Sequence, residues 1–399
     1  MNPLTTEPLA RVACREPQRI LMLSIVNPVV ERNGASTLTR GLLKLLTLPP
    51  FQAHLEFIPV RSEPVHWRRL AQARGLVLGS LSNTPAKASF LYSKEFRNKV
   101  VARVQDERFD LVIVNGADLL WISEYLPKSM PRILVAHNIE HRLFRTQIQN
   151  LSWLYRPLEV LLRADCRRLE EYELKGMRES RNVIFLSEDE AIYARGVCAG
   201  LHSITLPPVF DYEPAMRQPK KPGPILEIGL LGNFLWWPNQ LGLRWFAHEV
   251  LPHVKSPMRL SLFGRSASRG WRRDPRIVER GMVESIQQVW ESCHFMICPS
   301  FSTGGVCVKL AEAAYNGMPV LATSHAGRGL PLGEDPALVF LDEPGAWIEF
   351  LNSAAAWQLA ERQVSGKTCA RLAIGAQKDP FQQFVMNAIA SGTAPGACS

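Results

Sequence analysis

The sequence lacks several features that define large classes of proteins. No apolar run approaches the 18 or so residues of a membrane-spanning helix, and the opening stretch MNPLTTEPLARVACREPQ has no apolar core of the kind found in signal peptides. The eight cysteines lie far apart, without a C-x-x-C pair or a nearby histidine that would complete a zinc site. We therefore expect a cytoplasmic protein with reduced thiols and no bound metal.

Two further absences concern nucleotides and nucleic acids. Neither glycine turn of the chain completes G-x-G-x-x-G, which disfavours a dinucleotide-dependent oxidoreductase. The net charge of +9 indicates an anionic partner, but the sequence contains no nucleic-acid-binding motif. We expect no nucleic-acid partner, which leaves a membrane surface or a phosphorylated small molecule.

The chain does contain a regular alternation of predicted strands and helices. Residues 19–30 form a basic start and a long apolar run, typical of a strand buried on both faces, and a glycine turn and a leucine-rich helix follow. This rhythm predicts further strands at 54–60, 110–116 and 132–138, helices at 93–105 and 156–180, and a strand beginning at residue 182. Such an alternation is typical of a parallel α/β domain.

The alternation stops and then restarts. The stretch LPPVFDYEPAMRQPKKPGP contains six prolines and no periodicity, which predicts an interdomain linker. After it we predict strands at 225–233, 259–265, 294–300, 318–324 and 337–343, and helices at 238–254 and 285–292. The predicted fold class is α/β, with two Rossmann-like parallel-sheet domains facing each other across a cleft at the carboxyl ends of their strands.

The predicted domain boundaries follow from the proline-rich stretch. We expect an N-terminal domain over residues 1–206, a linker over 207–224 and a C-terminal domain over 225–375. Residues 376–399 contain a short amphipathic helix, FQQFVMNAIA, and a tail. We expect that helix to pack back towards the N-terminal domain.

The strongest candidate site is the stretch SFSTGGVCVKLAEAAYNG, which follows a predicted strand of the second domain. Gly304 and Gly305 allow close approach of a ligand to the backbone, and the helix predicted to begin near Val306 directs free N–H groups at the same place. Lys309 and Glu312 are one helical turn apart and share a face. Together they would hold a nucleotide diphosphate; the alternative is an ordinary loop before a solvated surface pair.

The second domain resembles the donor-binding half of group 1 glycosyltransferases with the GT-B fold. The resemblance rests on GLLGNFLWWPNQLGLRWFAHEVLP, LSLFGR, GMVESIQQVWESCHFMICPS and GGVCVKLAEAAYNGMPVLATSHAGRGL, which follow the family's order and spacing. The first domain agrees more loosely, through NGAS, FDLVIVNG, ILVAHNIEHRLF and NVIFLSEDE. The family's enzymes bind a nucleotide sugar mainly on the second domain and the acceptor on the first.

The resemblance implies roles for particular residues. Glu312 would bind the ribose, and Lys309 and the backbone amides of Thr303, Gly304 and Gly305 would contact the diphosphate. Gly232 and Asn233, after the first strand of the second domain, are also expected in the donor site, although many relatives carry an Arg and a Lys where this chain has Asn233 and Asn239. Gly304 stands where many relatives have a second carboxylate.

The resemblance also implies the reaction. We expect transfer of a sugar from a nucleotide-diphosphate sugar to a glycan, a glycolipid or a lipid-linked intermediate, with retention of configuration. No cofactor besides the donor substrate is expected, and no D-x-D signature of a metal-bound nucleotide sugar appears. The missing carboxylate at Gly304 leaves open a protein that binds a nucleotide sugar or a partner without turnover.

In the first domain, His137 follows a predicted strand and is the candidate catalytic residue. Its imidazole, which ordinarily titrates near neutral pH, would hydrogen-bond the transferred sugar or accept the proton of the acceptor. Asn33 and Gly34, after the first strand, would lie under the sugar and diphosphate. The alternatives are a helix cap at His137 with His141 on the helix surface, and a simple turn at Gly34.

Two basic features concern the phosphates and the acceptor. Arg265, at the start of the loop RSASRGWRRDPR, would supply a cation to the diphosphate or lie on the surface. The basic stretches at 66–75 and 93–104 would hold the protein peripherally on the inner face of an anionic membrane, or form solvated helix faces.

Overall fold

The structure, a computed structural model, describes residues 16–31, 33–58, 84–150, 153–265, 274–301 and 304–392. These residues form two parallel six-stranded sheets with strand orders β2-β1-β3-β4-β5-β6 and β12-β11-β10-β7-β8-β9. The strands of the first sheet are β1 Gln18–Ser24, β2 Phe51–Phe57, β3 Leu111–Asn115, β4 Arg132–Ala136, β5 Asn182–Phe185 and β6 His202–Thr205. Those of the second are β7 Leu226–Leu231, β8 Met258–Phe263, β9 Ile277–Gly281, β10 Phe295–Cys298, β11 Val320–Ala322 and β12 Leu338–Phe340. The predicted fold class is confirmed.

Helices cover both faces of each sheet, as buried parallel strands require. In the first half they are α1 Gly34–Leu46, α2 Ala86–Leu91, α3 Lys94–Asp106, α4 Glu140–Gln149, α5 Glu159–Ser180 and α6 Glu188–Val197, with 3-10 segments Ala117–Tyr125 and Trp153–Leu158. In the second half they are α7 Trp237–Trp245, α8 Ile286–Ser292, α9 Val308–Tyr315, α10 Ser324–Gly327, α11 Pro344–Asn352, α12 Ala354–Ala360, α13 Gly366–Leu372 and α14 Ile374–Gly392.

Two predicted elements differ from the structure, and two strands were not predicted. The first strand ends at Ser24, and Val29 and Val30 are 88% and 72% exposed, because the backbone turns at Asn27. The helix predicted at 238–254 changes after Trp245 to a π turn and a 3-10 turn, where Pro252 cannot donate a backbone hydrogen bond. Strands β6 and β9 were not predicted, because both are polar edge strands without a long apolar run.

The proline-rich segment between the sheets is packed rather than free. Phe210 stacks on Tyr315 of the second domain at a centroid distance of 4.8 Å. Arg217 is 2% exposed and donates to the carbonyl oxygen of Cys293 at 3.3 Å. A Cβ on Gly41 of α1 would lie 1.9 Å from the carbonyl oxygen of Val209, so the segment also presses against the first domain. Its side chains therefore join the two domains.

The last helix, α14, crosses back to the first domain. Phe381, Val385, Ala388 and Ile389 of α14 are buried in the same hydrophobic cluster as Ile20 of β1 and other residues of the first sheet. No helix among the described residues has both the length and the apolar character that crossing a bilayer demands.

Candidate functional site

The carboxyl ends of β4 and β10 meet across the cleft between the two sheets. Gly304 and Gly305 lie in the loop between β10 and α9, and Thr303 falls outside the described residues. A Cβ on Gly305, which has φ +67°, would lie 2.1 Å from Asn138 Oδ1, and a Cβ on Gly304 would lie 3.2 Å from Leu143 Cβ. The loop therefore contacts the first domain so closely that only glycine fits at residue 305.

The backbone amide of Gly305 is not free in this structure. It donates to Oε1 of Glu190, on α6 of the first domain, at 2.9 Å. The predicted contact between this amide and a diphosphate would require that bond to break. Glu190 was not among the predicted site residues, because nothing in the local sequence links it to Gly305, 115 residues away. The cap of α6 is Ser187, whose hydroxyl accepts from the amide of Glu190.

Lys309 and Glu312 are half-buried, and each bonds to a neutral side chain rather than to the other. Lys309 Nζ donates to Asn239 Oδ1 at 2.6 Å, and the Tyr212 hydroxyl donates to Glu312 Oε1 at 3.0 Å. The alternative of a solvated surface pair is therefore wrong. Burial raises the pKa of Glu312, while the Tyr212 hydroxyl and the guanidinium of Arg40 oppose that rise.

Asn239 links Lys309 to the loop after β7. Its Nδ2 donates to the carbonyl oxygen of Asn233 at 2.9 Å, and a Cβ on Gly232 would lie 3.0 Å from the same Nδ2 atom. The structure therefore brings together Gly232, Asn233 and Lys309 at the carboxyl edge of the second sheet. Asn239 orients the ammonium group of Lys309, which is a role that sequence reasoning missed.

The N-termini of α1 and α9 approach each other from opposite domains. Asn33 caps α1, where its Oδ1 accepts from the amide of Ser36 at 2.9 Å. A Cβ on Gly34 would lie 3.8 Å from Val308 Cβ at the start of α9. Gly34 is therefore the first residue of α1 rather than part of a simple turn, and it lies opposite the start of α9. A role for Asn33 and Gly34 under the sugar stays a prediction.

Arg265 lies at the end of β8, on the same edge of the second sheet. Its side chain is exposed, and its carbonyl oxygen accepts from the amide of Phe234 at 2.8 Å. Residues 266–273 of its loop, with the other arginines at 269, 272 and 273, lie outside the described residues. Binding of phosphate by Arg265 stays a prediction.

His137 lies at the end of β4 and is held by the first domain. Its Nε2 is 2.7 Å from Oδ1 of Asn115, whose Nδ2 donates to Thr39 Oγ1 at 3.0 Å. Because the amide oxygen accepts, Nε2 carries the proton and Nδ1 is the basic nitrogen. Burial lowers the pKa of His137 to about 4, so the titration near neutral pH that we predicted is wrong and the ring is a weak base.

We expect His137 to stay neutral throughout the ordinary working range of pH. Its NMR ring signals, assigned with a His137→Gln variant, should not shift between about pH 8 and pH 5, because a depressed pKa keeps the proton off. As the pH falls from the ordinary pKa of 6.5 towards about 4, the unfolded chain binds this proton first, so stability is lost over that window. A titration midpoint near 6.5 would restore the general-base role.

His141 is fully buried, so the alternative that placed it on the surface of a helix is wrong. Its Nδ1 is 2.8 Å from Glu173 Oε2, and its Nε2 is 3.1 Å from the hydroxyl of Tyr193. Glu173 also accepts from the backbone amides of Glu140 and His141, at 2.9 Å and 2.8 Å. These carboxylate bonds occupy the N-terminus of α4, which is therefore not free to bind phosphate.

A cluster of charged side chains lies beside Asn138 in the first domain. Lys87 Nζ is 3.0 Å from Asp118 Oδ1 and 2.7 Å from Glu140 Oε2, and Asn138 Nδ2 donates to Glu140 Oε1 at 3.0 Å. Burial raises the pKa of Asp118. Burial opposes ionisation of Glu140 as well, but Lys87 together with the hydrogen bond from Asn138 lowers the pKa of Glu140 overall. No sequence pattern indicated Lys87 or Asp118, which are far from Glu140 along the chain.

The basic stretch at 93–104 forms most of α3 and carries ion pairs within the first domain. Lys99 Nζ is 2.6 Å from Glu56 Oε2, and Arg103 pairs with Glu56 and, at 2.9 Å, with Glu107. These ion pairs neutralise part of the positive charge that would bind an anionic membrane. The other basic stretch, 66–75, lies outside the described residues.

Comparisons with known proteins bear on the family and on the fold. Residues 226–355 match the model of the glycosyl transferases group 1 family. That match contains Lys309, Glu312, Asn239 and the Gly304–Gly305 loop, so the resemblance of the second domain to this family is confirmed. A search of curated proteins finds no match to the sequence.

Solved structures share the fold of most of the chain at low sequence identity. Sucrose-phosphate synthase from Thermosynechococcus elongatus has a TM-score of 0.62 and 13% identity, over 94% of this chain and 100% of that one. Anabaena Alr3699/HepE in complex with UDP and glucose has a TM-score of 0.58 and 15% identity, over 92% of this chain and 99% of that one. TarM of S. aureus has a TM-score of 0.54 and 14% identity, over 74% of this chain and 58% of TarM. The predicted GT-B fold is confirmed.

Proposed function

We propose that the chain is a glycosyltransferase that moves a sugar from a nucleoside diphosphate sugar to an acceptor hydroxyl. The observation that carries this proposal is the placement of Lys309 and Glu312 on α9, half-buried at the carboxyl edge of the second sheet. The ammonium group suits a diphosphate, and the carboxylate can accept two hydrogen bonds from a ribose diol. The match to the glycosyltransferase family over the same segment supports this assignment.

The donor nucleotide to test first is UDP. Alr3699/HepE, which shares the fold, has been solved with UDP and with UDP-glucose. We propose that the diphosphate needs no metal, because the ammonium group of Lys309 and the positive end of the α9 helix dipole supply positive charge where it would lie. No cofactor besides the donor substrate is part of the proposal.

The acceptor side of the proposal rests on the first domain. We propose that a glycan, a glycolipid or a lipid-linked intermediate presents its hydroxyl near His137 and the cluster of Lys87, Asp118 and Glu140. Peripheral contact with the inner face of a membrane would suit a lipid-linked acceptor. We propose retention of configuration from the resemblance of the second domain to group 1 glycosyltransferases.

A panel of nucleotides and nucleotide sugars tests the donor. A donor at about 100 times its Kd stabilises the fold by about 2.7 kcal/mol and should raise the melting temperature by about 3 °C or more. The donor that gives the largest shift is then assayed for release of its nucleotide. A folded protein that no nucleotide or nucleotide sugar stabilises would contradict the proposal.

A second candidate function is binding of a nucleotide sugar without turnover. It is favoured by the lack of a carboxylate at Gly304 and by the bond that occupies the Gly305 amide. A donor that stabilises the protein but is neither hydrolysed nor transferred to any of a set of glycan and lipid acceptors would select this second function.

Lys309→Met should weaken binding of the diphosphate and spare the nucleoside. Methionine keeps the length of the side chain but loses the charge, so the affinity for UDP should fall about tenfold to 100-fold while that for uridine stays unchanged. Titration calorimetry measures both ligands. The matched control is Lys367→Met, at an exposed lysine of α13; equal losses for UDP and uridine in Lys309→Met would contradict the assignment.

A further inference from the structure

The start of α6 in the first domain contacts two loops of the second. Glu190 Oε1 accepts from the amide of Gly305 at 2.9 Å, and Asp189 Oδ2 is 3.2 Å from Arg328 Nε. A Cβ on Gly329 would lie 2.3 Å from Ser187 Cβ, so that turn also approaches α6 too closely for a side chain. Ser187, Asp189 and Glu190 therefore contact the second domain.

Glu190 also holds the segment that carries His137. The same oxygen, Oε1, accepts from the backbone amide of Ile139 at 2.9 Å. One carboxylate oxygen therefore connects the glycine loop of the second domain to the end of β4 in the first. Gly305 and Glu190, which are in contact in the fold, are 115 residues apart in sequence.

The carboxylate of Glu190 lies in an environment that disfavours its charged form. The side chain is 2% exposed, and its second oxygen, Oε2, is buried without a hydrogen-bond partner among the described residues. Burial raises its pKa, although the amides of Gly305 and Ile139 oppose the rise. A buried carboxylate is tolerated where hydrogen bonds offset its desolvation, and one of the two bonds exists only while the domains are in contact.

We propose that Glu190 is a positioning residue that docks the Gly304–Gly305 loop onto the first domain when the cleft closes. It fixes the loop against Asn138 and the segment of His137, and so sets the spacing between the donor side and the acceptor side. The effect on transfer rests on the proposed function, whereas the docking of the loop does not. Binding of the nucleotide to Lys309 and Glu312 does not need this contact.

Hydrogen–deuterium exchange of the full chain tests the docking directly. In Glu190→Ala, amides of 304–312 should exchange at least about tenfold faster than in the wild type, because a lost bond to a charged group is worth about 1.5 kcal/mol or more. Glu190→Gln keeps an oxygen acceptor and should stay within about threefold of the wild type. The matched control is Glu188→Ala, which removes a carboxylate that bonds within its own domain to Thr205 and Arg195.

Gly305→Ala breaks the same contact from the other side without removing Glu190. Its Cβ would collide with Asn138 Oδ1, and the positive φ strains any side chain, so the loop should leave the first domain. In Gly305→Ala, hydrogen–deuterium exchange of the amides of 304–312 should become faster, as in Glu190→Ala. The amide of Ile139 should stay protected, because Glu190 still accepts its hydrogen bond. Because the two variants perturb different domains, misfolding of one leaves the other as a test.

Steady-state consumption of the UDP-sugar that stabilises the protein tests the positioning role. In Glu190→Ala, kcat should fall at least about tenfold while the affinity for UDP changes little, and Glu190→Gln should recover most of the rate. Unchanged exchange over 304–312 in Glu190→Ala, or an unchanged kcat, would overturn the proposal. Faster exchange in a protein whose wild type consumes no donor would support the docking contact and reject the proposed function.

Discussion

Replacing Glu312 with alanine is expected to remove most of the affinity for nucleotides. If the carboxylate accepts both ribose hydroxyls, its loss costs about 3 kcal/mol or more, a fall of about 100-fold in affinity. In contrast to Lys309→Met, this loss should be the same for UDP and for uridine, because both carry the ribose. Titration calorimetry with the two ligands separates the ribose contact from the phosphate contact.

The control for this variant is Glu349→Ala, which removes an exposed carboxylate of α11 in the same domain. A second comparison uses 2′-deoxyuridine diphosphate, which already lacks one of the two hydroxyls. It should lose less affinity in Glu312→Ala than UDP does. If UDP binds Glu312→Ala as tightly as it binds the wild type, the ribose does not contact Glu312 and the assignment fails.

Glu173→Ala is expected to have the largest effect on stability. Glu173 is fully buried and accepts three bonds, from the amides of Glu140 and His141 and from the His141 ring. Its removal leaves the N-terminus of α4 and the imidazole without their acceptor, which should lower the free energy of unfolding by about 3–5 kcal/mol. Urea denaturation followed by circular dichroism measures the change.

The matched control is Glu171→Ala, two residues earlier on α5, where the side chain is exposed. Its effect should stay within about 0.5 kcal/mol, as for most surface substitutions. Glu173→Gln keeps one oxygen acceptor, so its loss in free energy of unfolding should lie between those of Glu173→Ala and Glu171→Ala. A loss in Glu173→Ala no larger than that in Glu171→Ala would show that the buried carboxylate does not stabilise α4.

The fold was predictable because buried parallel strands leave a strong trace in sequence. Residues Ile20 to Leu23 of β1 are fully buried, and the long apolar run there could be read directly. The edge strands β6 and β9 could not, because polar residues, among them the exposed His202 and Arg280, interrupt any apolar run there. The predicted end of the first strand was also wrong, because a turn interrupts the apolar sequence before Val29 and Val30.

The placement of Lys309 and Glu312 was predictable from local spacing, since both lie on one helix directly after a glycine loop. Their partners were not, because Asn239 and Tyr212 reach them from residues 70 and 100 positions away in sequence. The roles of Glu190 and Glu173 were not predictable either, because their carboxylates accept hydrogen bonds from amides that are distant in sequence. The pKa of His137 depends on burial in the folded cleft, which spacing along a chain does not encode.

A crystal structure of the protein with UDP is the decisive experiment for binding of a nucleotide by α9 and the loop before it. We expect ribose hydroxyls within hydrogen-bond distance of the Glu312 carboxylate and the diphosphate beside the Lys309 ammonium. UDP bound elsewhere, or no UDP in crystals soaked at saturating concentration, would contradict this assignment.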